Sequence, residues 1–136
     1  MSSALKSIRL LALLLIMPTF PAAHAQQGTS GRFLRFDPAS VELGELKASQ
    51  DSVCVNFKFE NISDDSITVS DVVAQCSCTK AFFSKKTIPA GGRSSLRVTL
   101  YLKDLTGPQK RHLTVVSTNG ERYRYSTITI ICNVNR

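Results

Sequence analysis

From Ser52 to Glu60 the chain alternates without a break, with Val53, Val55, Phe57 and Phe59 in one phase and Cys54, Asn56, Lys58 and Glu60 in the other. Successive side chains of a strand point to opposite faces, so this period of two builds a strand with one apolar and one wet face. Such a face must be buried against another layer. The pattern returns from Ser95 to Leu102, where Leu96, Val98, Leu100 and Leu102 oppose Arg97, Thr99 and Tyr101, after the turn-forming Pro89-Ala90-Gly91-Gly92. No segment carries a convincing helix period, and short strands in series between turn sequences predict an all-β sandwich.

The remaining segments fit that plan. Leu113 to Thr118 and Arg122 to Val134 flank Asn119-Gly120, a dipeptide suited to the positive φ angles of a tight type I′ hairpin. Residues 61–66 and 105–108 supply further turns. Pro38 confines the opening strand to an edge or to a switch between sheets. Between Ile67 and Thr79 the alternation slips: Ile67 and Val69 keep one phase, while Val72, Ala74, Cys76 and Cys78 keep the other. A bulge or bend near Ser70-Asp71 accounts for the slip and turns both cysteines toward the core.

The first residues read differently. Lys6 and Arg9 precede an apolar run from Leu10 to Met17, Pro18 breaks it, and Ala23-His24-Ala25 follows. This is the order of a secretory signal peptide, with cleavage expected after Ala25. Residues 1–25 are therefore expected to be removed, 26–32 to form a flexible leader, and 33–136 to fold as one domain. No later stretch approaches the roughly 20 apolar residues of a membrane span. The expected location is secreted or periplasmic.

The formal charge of +7 includes Lys6 and Arg9, which leave with the signal peptide. The other basic residues are interspersed with acids, as solvated strand faces require. A weak attraction to an anionic envelope polymer fits this balance, and nucleic acid is not an expected partner of an exported chain.

All four cysteines, Cys54, Cys76, Cys78 and Cys132, lie beyond the signal peptide. An even number in an exported chain reads as a disulfide set, and four cysteines allow three pairings. In an extended strand the Cα atoms of Cys76 and Cys78 lie roughly 6.5 Å apart, near the upper limit for a bridge. A local bond there would be labile and suited to thiol exchange, whereas the structural alternative packs each cysteine in the core or bridges it to a distant strand. The structural alternative is the expectation. Metal handling is the other rival, with zinc or cuprous ion held by the thiols. It lacks support, because Met1 and Met17 are the only methionines and His112 is the only histidine beyond the signal peptide.

Catalysis finds no apparatus. His112 alone would have to serve every nucleophile and base scheme. Asp64 and Asp65 sit in turn sequence, and Gly91-Gly92 lacks the helix and lysine of a phosphate cradle. No cofactor is expected. Adjacent Phe82 and Phe83 cannot both point inward from one extended strand, so one of them caps the sandwich end or contacts a partner. An open sheet edge offers a second mode, strand addition.

Five segments together carry a resemblance: Phe36-Asp37 with Leu43-Gly44, Phe57-Lys58-Phe59-Glu60-Asn61, Cys76-Ser77-Cys78-Thr79, Ile88-Pro89-Ala90-Gly91-Gly92, and Val115-Val116-Ser117-Thr118-Asn119. Their order and spacing resemble the secreted bacterial family called domain of unknown function 1573, over about Arg35 to Asn133. The resemblance implies an immunoglobulin-like sandwich of about seven strands, similar to Hydin-type and major sperm protein domains. It implies an assembly or interaction module with an unidentified protein or envelope partner, and no activity. Two departures stand out: Ser77 occupies a position where the family commonly has glycine, and Cys54 and Cys132 look additional. A serine restricts the backbone at that position, which argues against a tight Cys76–Cys78 ring.

Overall fold

A computed structural model describes residues 31–136. The expected signal peptide and all but the last two residues of the expected leader lie outside the described residues. Eight strands follow one another: β1 (Leu34–Phe36), β2 (Ser40–Lys47), β3 (Ser52–Asn61), β4 (Thr68–Ala74), β5 (Thr79–Phe82), β6 (Arg93–Tyr101), β7 (Gly107–Thr118) and β8 (Tyr123–Asn135). They form two four-stranded sheets in the orders β1-β3-β6-β5 and β2-β8-β7-β4. This is an immunoglobulin-like β-sandwich.

The alternation in β3 does what its period requires. Val55, Phe57 and Phe59 are buried, and Cys54, Asn56 and Lys58 are exposed. Leu96, Val98 and Leu100 of β6 bury beside them, facing Leu113 and Val115 of β7 and Ile128 and Ile130 of β8. Each such side chain contributes about 1.5–3 kcal/mol by leaving water. These residues form one core between the sheets.

One more strand is present than the expected seven, and Pro38 explains it. The opening strand breaks at Asp37-Pro38-Ala39, so β1 pairs antiparallel with β3 in one sheet while β2 pairs parallel with β8 in the other. The β2–β8 register shifts between Glu42 and Glu45, around Gly44, whose φ of +67° suits glycine. The slip predicted near Ser70-Asp71 is a bulge: the β4–β7 register shifts between Val69 and Asp71.

The final hairpin forms, yet its turn differs from the tight type I′ form. Thr118 pairs with Tyr123, leaving the residues from Asn119 to Arg122 as the loop. Gly120 takes a φ of +96°, whereas Asn119 keeps a negative φ. Asn119 uses its side chain instead, its Oδ1 accepting from the N–H groups of Glu121 (3.1 Å) and Arg122 (2.8 Å). This local capping replaces the second positive φ that a two-residue turn demands.

Candidate functional site

β4 lies on the edge of one sheet and β5 on the edge of the other. The segment from Gln75 to Cys78 joins them, so it carries the chain across one open flank of the sandwich. Cys76 and Cys78 sit in this turn and are bonded to each other, with their Cα atoms 5.3 Å apart. Here the expectation of bridges to distant strands is corrected, while Cys78 does pack against the core. A turn brings residues two apart closer than an extended strand does, and Ser77 holds a negative φ, so no glycine is required.

Hydrogen bonds fix the turn. The Thr79 N–H donates to the Cys76 carbonyl at 3.3 Å, and the Tyr101 N–H donates to the Cys78 carbonyl at 2.8 Å. The buried Thr79 hydroxyl lies 3.6 Å from the Cys76 Sγ and 3.7 Å from the Cys78 Sγ. Thr79 is thus the one hydroxyl shared by both sulfurs. The Cys-x-Cys-Thr order carried this signal in the sequence, although Thr79 was not singled out there.

Two clefts flank the bond. One of about 530 Å³ runs between the edge strands, with Val72, Ala74, Cys76, Ala81 and Phe82 among its walls. The other, of about 370 Å³, has Cys78, Lys80, Tyr101, Lys103 and Asp104 among its walls. Phe82 and Phe83 divide as adjacent strand-end residues must: Phe83 packs half-buried on the core, and Phe82 is 50% exposed. The Arg97 guanidinium stands 5.4 Å from the Phe82 ring centroid, and the Lys80 ammonium stands 5.7 Å from that of Tyr101. Exposed cation–aromatic pairs of this kind are worth about 0.5–1 kcal/mol each.

The other two cysteines do not join this site. Cys54 lies on the outer face of β3, exposed, with its Sγ 3.4 Å from the Thr99 hydroxyl. Cys132 is buried in the core from β8, in the opposite sheet. Facing outward and inward from different layers, they cannot bond to each other, and both are free thiols. Burial pushes the Cys132 thiol pKa up, against a smaller downward pull from the positive charge of Arg111. His112 is half-buried, with its Nδ1 3.0 Å from the Thr129 hydroxyl. Among the described residues no group of three or more His, Cys, Asp or Glu side chains is placed to hold a metal ion.

The sequence from residue 34 to 134 matches the family model described as protein of unknown function DUF1573. The chain belongs to the DUF1573 family. The shared fold reaches well beyond it. This DUF1573 chain is similar to the ASH/PapD-like domain 7 of human CEP192, with a TM-score of 0.64 and 6% identity over 88% of this chain and 97% of that one. It is also similar to the Vibrio cholerae VesB protease (TM-score 0.63, 14% identity, 75% of this chain and 32% of that one). The YadV chaperone gives a TM-score of 0.57 and 13% identity over 77% and 53% of the two chains. The chain thus spans only a third of VesB and about half of YadV. At these identities the likeness shows the fold alone. No curated protein matches the sequence.

Proposed function

We propose that this DUF1573 chain is an exported, non-catalytic interaction module of the cell envelope that holds a protein partner at the β4–β5 flank. The observation that carries the reading is the cleft between the two edge strands, where the apolar Val72, Ala74 and Ala81 lead to an exposed Phe82. An exposed aromatic on a cleft of mixed polar and apolar lining, with Arg97 beside it, has the composition of an interface centre. Extended protein segments suit it best, because edge strands offer backbone donors and acceptors as well as side-chain pockets. The fold is similar to that of the YadV chaperone and of a chain from the CsuC–CsuE chaperone-tip adhesion subunit pre-assembly complex of Acinetobacter baumannii, which supports a protein partner. The signal-peptide pattern of residues 1–25 supports export.

Two measurements test this reading. Fractionation of the source cells is expected to recover the chain, shortened at its N-terminus, in the envelope or outside the cell. Gentle extraction followed by size separation is expected to place it in a complex heavier than the free chain, lost in Phe82→Asp and kept in Tyr123→Asp. Cytoplasmic, unprocessed chain or an unchanged elution for Phe82→Asp contradicts it.

A further inference from the structure

We propose that the Cys76–Cys78 bond is a thiol-exchange site, in which an incoming thiolate attacks Cys76 and Cys78 leaves under the Thr79 hydroxyl. The inference does not rest on the partner-binding reading, since the exchange is a property of the purified chain.

Three observations lead to it. First, the bond closes a loop with one intervening residue. So small a loop removes little freedom from the unfolded chain, so the bond adds little to the fold and the fold in turn does little to keep it closed. Secondly, both sulfurs reach clefts rather than the sealed core, in contrast to Cys132. Thirdly, the two sulfurs are not equivalent. Cys76 lines the wider cleft, which has room for an incoming thiol. Cys78 packs on the core, is held by the Tyr101 N–H on its carbonyl, and lines only the smaller cleft, so it is the less open to attack and the one left to depart.

The step balances with a thiol as the only co-reactant. A thiolate RS⁻ bonds to the Cys76 Sγ, the Sγ–Sγ bond breaks, and its electron pair passes to Cys78. The Thr79 hydroxyl, 3.7 Å away, donates to the new thiolate. A second thiolate then attacks the sulfur of R, releasing Cys76. Two thiols have become one disulfide, and the protein disulfide has become a dithiol that takes up the two protons. The thiol can come from a small molecule or from a cysteine of a polypeptide.

The full chain, oxidised, is equilibrated in glutathione buffers of graded poise, quenched in acid, alkylated and peptide-mapped, with circular dichroism recorded alongside. The Cys76–Cys78 bond is expected to open while the dichroism stays native, with early glutathione adducts on Cys76 in large excess over Cys78. Thr79→Val is expected to slow the attack about tenfold, through loss of a charge-assisted hydrogen bond, and Thr79→Ser to restore it. The same site is then offered a cysteine peptide with apolar flanks at matched thiolate concentration. A faster rate than glutathione assigns the thiol to a polypeptide, and an equal rate assigns it to a small molecule. Opening only on global unfolding, adducts divided equally between the sulfurs, or a wild-type rate in a folded Thr79→Val overturns the proposal.

Discussion

Asn61 donates from its Nδ2 to the carbonyl oxygen of Ile88 at 3.0 Å, tying the end of β3 to a loop 27 residues further on. The same amide nitrogen reaches the carbonyls of Asp65 (2.8 Å) and Pro89 (3.1 Å), while Oδ1 accepts from the Ser63 N–H (3.0 Å) and the Ser63 hydroxyl (2.6 Å). The Asn61 backbone is equally engaged, its N–H donating to the Gly92 carbonyl and its carbonyl accepting from the Gly91 N–H. Asn61 is fully buried. Two of the segments that carry the family resemblance therefore meet at one side chain.

Removing that side chain takes one of two donors from the carbonyls of Asp65, Ile88 and Pro89 and leaves the Ser63 N–H without its acceptor. Asn61→Ala is expected to destabilise the fold by about 3 kcal/mol, from the several hydrogen bonds lost at a buried site. Asn61→Asp, which sets carboxylate oxygens against three carbonyls, is expected to cost more. Urea unfolding of the three proteins checks the order.

Glu45 clasps the parallel β2–β8 pair beyond the bulge. Its carboxylate accepts from the Asn133 amide at 2.9 and 3.0 Å and from the Asn135 amide at 2.5 Å. These donors favour the charged form and hold its pKa below the ordinary carboxylate value, with weak desolvation opposing them. A depressed folded pKa means that the contribution is present above the unfolded value of about 4.3 and is lost as pH falls through the folded pKa. The Asn133 and Asn135 side-chain amide resonances are expected to shift together with a midpoint below pH ~4.3, and to lose that titration in Glu45→Gln.

The two free thiols are expected to behave as opposites. Cys54 is exposed and Cys132 buried, so iodoacetamide should label Cys54 in the native protein and reach Cys132 only on unfolding. Because burial raises the Cys132 pKa, the unfolded chain releases this proton first. Its contribution to stability is present below the unfolded value of about 8.5 and declines as pH rises through the folded pKa. Between pH 7 and pH 10 the wild type should lose more stability than Cys132→Ala. Equal slopes would show that the thiol ionises alike in both states.

Much of this fold was legible from side-chain period, because alternation in β3 and β6 reports directly which residues meet the core. The phase slip before Cys76 located a bulge, and Pro38 narrowed the opening strand to an edge or a switch between sheets, of which the switch is what forms, each through a local backbone rule. What was not legible depends on chain remote in sequence or on the shape of a turn. Asn61 read as turn sequence because its acceptors at Ile88 and Pro89 are backbone carbonyls that leave no mark in the sequence. Cys76 and Cys78 read as near the upper limit for a bridge because the distance was taken from an extended strand, whereas the residues from Gln75 to Cys78 form the turn between sheets. Thr79 escaped notice because its relation to both sulfurs appears only once that turn is folded.

The interaction reading turns on Phe82. The most direct measurement is photo-cross-linking in living cells from a benzoylphenylalanine placed at position 82, compared with position 123 on the opposite sheet. Both side chains are exposed, at 50% and 58%, so accessibility alone cannot separate them. A discrete protein adduct from position 82, absent from position 123, is the predicted result. Equal adducts from both positions, or none from position 82, would contradict a partner at the β4–β5 flank.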